Sequence, residues 1–180
     1  MEKKLKLQKT MVMIYIIMAV VAFTYSLCFM TAYEDLFGLM LKANARIAYF
    51  HDVFMHGFNQ TMFWYTLFGA ASIAWFYIFG CRQYVPDTVA LVVISVSLLI
   101  VSGFCIYALI EIPRLEATYL SLDFSHLAQE GVTSDYVVRT KTFTYGMVIF
   151  ATNLIVNIAT IFTLISSNRM YMKTIKKEMA

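Results

Sequence analysis

The residues best equipped for chemistry are three histidines and the carboxylates near them. His51, His56 and His126 are the only imidazoles in 180 residues. Asp52 and His56 are four apart, so on a helix the carboxylate sits one turn from the imidazole and can support it as a general base. Asp52, His56 and His126 are therefore the catalytic candidates. His51, His56, Glu111 and His126 are the candidate metal donors, because imidazole and carboxylate together bind zinc or iron. The spacing argues against both roles. His51 and His56 are five apart, on different faces of a regular helix, and the sequence contains no H-E-x-x-H. Histidines bonded to neighbours or water at a membrane surface account for the same pattern, so no catalytic residue and no metal is assigned. No cofactor is expected either. Haem between membrane helices needs a ligand facing inward at mid-depth, no histidine lies mid-stretch, and the 12 methionines serve as apolar filler.

A second group is polar but uncharged. Asn153, Asn157 and Thr160 fall at i, i+4 and i+7 of one apolar stretch, and Ser95 and Ser102 are seven apart in another. An amide in lipid seeks a partner, so this seam is expected to face protein and to join helices. The alternative is a polar path or substrate site at the centre of a bundle. Cys28 and Cys105 each lie 17 residues into their stretches, at similar depth, and would pair only if their helices are adjacent. Cys81 is placed for acylation. The sequence carries no C-x-x-C, Walker A, G-x-S-x-G or G-x-G-x-x-G pattern, which leaves thiol-redox and nucleotide chemistry without support.

Composition decides what must position these groups. Hydrophobic residues make up 61% and charged residues 14%, against roughly 45–50% and 25% in soluble domains. That excludes a water-soluble globular protein, a disordered tail and a nucleic-acid-binding module. Uncharged runs long enough to cross a bilayer centre on residues 11–31, 59–80, 88–110 and 144–166. None alternates with period two as a barrel strand does, so all four are expected to be helices. The expected fold is an all-α integral membrane protein, a single four-transmembrane-helix bundle over residues 1–180. The first stretch is longer than a signal-peptide core and lacks an A-x-A-like cleavage site, so it is read as a retained helix.

Nine basic residues, namely Lys3, Lys4, Lys6, Lys9, Arg82, Arg169, Lys173, Lys176 and Lys177, lie in the two ends and the short turn between the middle runs. The two longer connections hold five. The positive-inside rule then places both termini in the cytoplasm of a plasma membrane, one that fits a bacterium. The basic ends would lie beside anionic headgroups, which makes the bilayer itself the first partner. Two outer segments of about 30 residues remain. Residues 33–58 read as amphipathic helix, with Phe37, Met40, Leu41, Ile47, Phe50 and Phe54 opposite the polar side chains. In the second segment Pro113 is expected to kink or end the third helix. Leu115 to Gln129 is helix-compatible with a stop at Gly131, and Thr133-Ser134-Asp135 is expected to cap the fourth helix. Phe63-Trp64-Tyr65 and Trp75-Phe76-Tyr77 look like headgroup belts.

The function expected from this inventory is that of a non-enzymatic membrane subunit docking onto a larger assembly for transport, secretion or export. Its partners would be other membrane proteins or further copies of itself, with no nucleic acid and no nucleotide. One alternative is an enzyme or carrier for a lipid or quinone, with its site at the outer interface. A self-assembling channel lined by Ser95, Ser102, Asn153, Asn157 and Thr160 is another.

Overall fold

A computed structural model describes residues 2–30, 50–75, 88–122 and 140–178. Every element among them is helical. Helix α1 is Glu2–Met30, a π-helical turn at His51–Met55 leads into α2 (His56–Trp75), α3 is Thr88–Ser121 and α4 is Lys141–Glu178. Three of these contain runs long and apolar enough to cross a membrane: Lys6–Ser26, Thr88–Ser121 and Lys141–Ile175. The described part of α2 falls short of that mark. It opens on His56, Asn59, Gln60 and Thr61, and the apolar residues 76–80 expected at its far end lie outside the described residues.

The helices pack in a ring in which each lies mainly against two neighbours, in the order α1, α2, α3, α4 and back to α1. Neighbours run antiparallel. Phe23 meets Phe63 while Tyr15 lies over Gly69, which fixes α1 against α2. Phe58 stacks on Tyr107 and Tyr65 on Phe104, which does the same for α2 and α3. Asn157 reaches Cys105, and Gly146 faces Ile112 and Tyr25, so α4 returns between α3 and α1. This alternation brings the lysine-bearing ends of α1 and α4 to one end of the ring.

Two apolar clusters form the interior. One, toward the lysine-bearing end, joins Val12, Tyr15, Ala19, Tyr65, Ile73, Leu98, Val101 and Leu164. The other joins Ala22, Tyr25, Met55, Phe58, Met62, Ala108, Ile112 and Phe150. Its far end is closed by an aromatic triad. Phe50 meets Tyr119 at 5.3 Å and Phe143 at 5.9 Å between ring centroids, both edge-on, the geometry that ring quadrupoles favour. Residues 31–49 and 123–139 of the two outer segments lie outside the described residues, as do Cys81 and the turn holding Arg82.

Two boundaries differ from expectation. Pro113 does not end α3, which runs on to Ser121. Proline removes one donor and crowds the carbonyl four residues back, yet the helix continues where neighbouring turns hold the backbone. Helix α4 begins at Lys141, with the Thr140 carbonyl accepting from the Phe143 amide at 3.0 Å. The expected cap at 133–135 lies outside the described residues.

Candidate functional site: a neutral polar layer inside the ring

Between the two clusters lies a layer of polar side chains drawn from all four helices. Asn153 and Asn157 of α4 are both buried, Asn157 completely. The Asn153 amide donates to the Met18 carbonyl of α1 at 3.4 Å, and the Asn157 amide donates to Cys105 Sγ of α3 at 3.9 Å. Both bonds are long, and a thiol is a weak acceptor. The two amides are thus the seam residues that reach across to other helices. The hydroxyls do otherwise. Thr160 donates to the Val156 carbonyl at 2.7 Å and Ser102 to the Leu98 carbonyl at 2.8 Å, each four residues back in its own helix. Such back-bonding satisfies a hydroxyl in an apolar setting without tying helices together. Ser95 is only half-buried, with Oγ unbonded.

A cavity of about 20 Å³ opens in this layer, lined by Tyr15, Met62, Tyr65, Thr66, Val101, Cys105, Phe150 and Asn153 among others. That is room for one water molecule, which needs at least two polar partners. Tyr65 Oη, buried and without a hydrogen bond, lies on the wall with the Asn153 amide and the Cys105 thiol. The donor set is phenol, amide, hydroxyl and thiol. Its chemistry is neutral hydrogen bonding in a space too small for a lipid or quinone ring.

Close helix approaches frame the layer. A Cβ on Gly69 would lie 2.5 Å from Tyr15 Oη and 3.1 Å from Val101 Cγ2. A Cβ on Gly146 would overlap the Tyr25 hydroxyl and lie 2.7 Å from Tyr25 Cζ. Tyr25 Oη in turn donates to the Thr142 carbonyl at 3.1 Å. One tyrosine of α1 therefore occupies the space left by a glycine of α2, and the other that left by a glycine of α4. A further buried polar pair lies toward the aromatic end. Ser26 and Asn59 are each 1% exposed, with Ser26 Oγ and both Asn59 amide atoms unbonded. The Phe23–Phe63 register places them at the same level on α1 and α2.

The histidine site is not assembled among the described residues. His56 is exposed, and Glu111 pairs with Arg114 one turn away at 2.8 Å. His126 lies outside the described residues, and so do the side chains of His51 and Asp52. No group of three His, Cys, Asp or Glu side chains converges among the described residues. Cys105 is a free, buried thiol, and the side chain of Cys28, its possible partner, lies outside the described residues. The expected aromatic belt divides as well. Trp64 faces outward, whereas Tyr65 is buried and stacks on Phe104 at 4.0 Å.

Tyr15, Tyr25 and Gly146 are residues that sequence reasoning gave no role, and Tyr65 is one that it assigned to an outward belt; the small residues from Gly69 to Ser72 do read from sequence as a place of close helix approach. A tyrosine set well inside an apolar run was the available signal, since its hydroxyl needs a partner or a glycine to lie against. Compared with protein-family models, curated proteins and solved structures, the chain matches none.

Proposed function

We propose that this chain is a non-enzymatic integral membrane subunit. Its four helices all cross a plasma membrane with both ends cytoplasmic, and its outer surface receives a helix of a larger assembly for transport, secretion or export. One observation carries the docking surface. Gly103 lies on the exposed face of α3, and a Cβ there would meet nothing within 4 Å. Exposed Leu99, Ile100, Ile106 and Tyr107 surround it. A glycine flanked by large apolar side chains leaves an indentation where another helix backbone can approach, and van der Waals packing at such places drives association in lipid.

Replacing Gly103 with Ile tests the proposal. The substitution fills the indentation but touches nothing inside the ring, so helicity and thermal stability of the isolated protein should hold. Extracted in mild detergent, the wild type should migrate with a stoichiometric foreign membrane protein, and Gly103→Ile should migrate alone. A complex that survives Gly103→Ile would refute docking at this face, and a wild type that is a monomer or homo-oligomer would refute the subunit reading. The reading also expects His56→Ala and His126→Ala to leave cellular function unchanged at normal protein level. Loss of function there would move the weight to the outer-interface enzyme or carrier.

A further inference from the structure

The lysine-bearing end of α4 carries a groove of about 330 Å³ lined by Phe162, Ile165, Ser166, Arg169, Met170 and Lys173. We propose that it is a binding site for one anionic glycerophospholipid. Its phosphate would sit between Arg169 and Lys173, and its acyl chain would lie along Phe162, Ile165 and Met170.

The positions follow helical arithmetic. These six residues recur at intervals of three and four, so they form one continuous stripe on α4. Arg169 is the first charge after 27 uncharged residues, 142–168. That run spans about 40 Å at 1.5 Å per residue, against about 30 Å of hydrocarbon and roughly 40–45 Å with headgroups. Arg169 therefore comes at headgroup level when α4 crosses a bilayer, and Lys173 lies one turn further out. Phe162 lies about 10 Å deeper than Arg169, within the acyl region.

The chemistry selects the occupant. Arg169 and Lys173 are both exposed and form no ion pair among the described residues. Two cations one turn apart suit a phosphate, with the guanidinium supplying a planar pair of donors and the ammonium a point charge. A free phosphate would use this upper half alone. It would leave Phe162, which is 69% exposed, and the half-buried Ile165 uncovered. A phospholipid covers both halves. A zwitterionic headgroup carries its own cation and gains less from the pair, so an anionic one is favoured.

The test uses full-length protein, delipidated in a nonionic detergent and titrated with phosphatidylglycerol or phosphatidylcholine of matched chains. Native mass spectrometry reads the retained lipid. The wild type should retain one phosphatidylglycerol with roughly thirtyfold preference over phosphatidylcholine, as two membrane-surface cations imply. R169Q/K173Q should lose that preference, while R114Q, at the opposite end of the ring, should keep it. F162A should weaken retention of phosphatidylglycerol without changing binding of headgroup-only glycerophosphoglycerol. Circular dichroism confirms that each variant keeps its helicity, and R169K/K173R should retain the preference. Equal retention of the two lipids would overturn the proposal, as would a preference indifferent to R169Q/K173Q. So would full displacement by inorganic phosphate, which would mark a simple anion site. These readouts do not involve a protein partner, so they stand or fall apart from docking at Gly103.

Discussion

Gly69→Ala should change the sign of its effect when Tyr15 loses its hydroxyl. In the wild type the new methyl would lie 2.5 Å from Tyr15 Oη, well inside contact distance, and 3.1 Å from Val101 Cγ2. Tyr15 is 1% exposed, and its ring is stiff and enclosed, so α1 and α2 must separate to admit the methyl. Overpacking of this kind costs about 1–3 kcal/mol, while alanine in place of a helical glycine returns roughly 0.5–1 kcal/mol. The net expectation is a loss of about 0.5–2 kcal/mol. In a Tyr15→Phe background the next ring atom, Cζ, is 3.8 Å away, an ordinary contact. Val101 then has to yield only a few tenths of an ångström. Gly69→Ala should there be neutral or stabilising by up to about 1 kcal/mol, a coupling of about 1–2 kcal/mol across the cycle. The assay is reversible unfolding of all four proteins by sodium dodecyl sulfate in mixed micelles, followed by circular dichroism. Additive effects, with Gly69→Ala costing the same in both backgrounds, would refute the contact and with it the α1–α2 register.

Gly146→Ala should behave differently in the same assay. Tyr25 Cζ itself lies 2.7 Å from the new methyl, so Tyr25→Phe should fail to rescue a loss of about 1–3 kcal/mol; rescue would show that the two helices sit further apart. Pro113→Ala should stabilise the protein by about 1–3 kcal/mol, because it restores an amide donor to the Leu109 carbonyl on an exposed face and removes a clash. A lower unfolding midpoint would mean that α3 bends at Pro113 in order to pack. Asn157→Leu should change stability by less than about 1 kcal/mol, because it replaces an amide whose oxygen has no hydrogen bond by an apolar group of similar shape. A loss above about 2 kcal/mol would show that the amide holds a partner beyond Cys105.

Much of the fold was legible because lipid leaves the backbone little choice. The uncharged run 142–168 lies within one helix, as do 11–30 of the first run and the whole of the third. Boundaries were less legible for a physical reason. Helices continue past the apolar core as long as their donors and acceptors pair, so α1 begins among lysines and α3 runs through Pro113. Neighbour order could not be read from patterning, since nearly every position of a span is apolar whichever way it faces. The seam was half legible. Spacing put Asn153, Asn157, Thr160 and Ser102 on buried faces, but it could not say that the hydroxyls would turn back to their own carbonyls while the amides crossed. A three-letter echo is too short to mark a repeat. Phe23-Thr24-Tyr25 and Phe143-Thr144-Tyr145 echo one another, yet Tyr25 is buried against Gly146 while Tyr145 points outward.

The ring also has a history, because its last helix closes it. Tyr25 donates to a carbonyl 117 residues later in the chain, and Met18 accepts from an amide 135 residues later. At roughly 5–20 residues per second of synthesis, the partner of Tyr25 emerges about 6–23 seconds after Tyr25 itself. Throughout that interval the inner face of α1 that belongs to α4 stays open to lipid or to an insertion helper. A ribosome that stops before residue 141 releases a chain whose α1 and α3 both lack their shared neighbour. Such a chain would display unmet polar groups within the bilayer, the kind of mark by which membrane proteases tell unfinished proteins from finished ones.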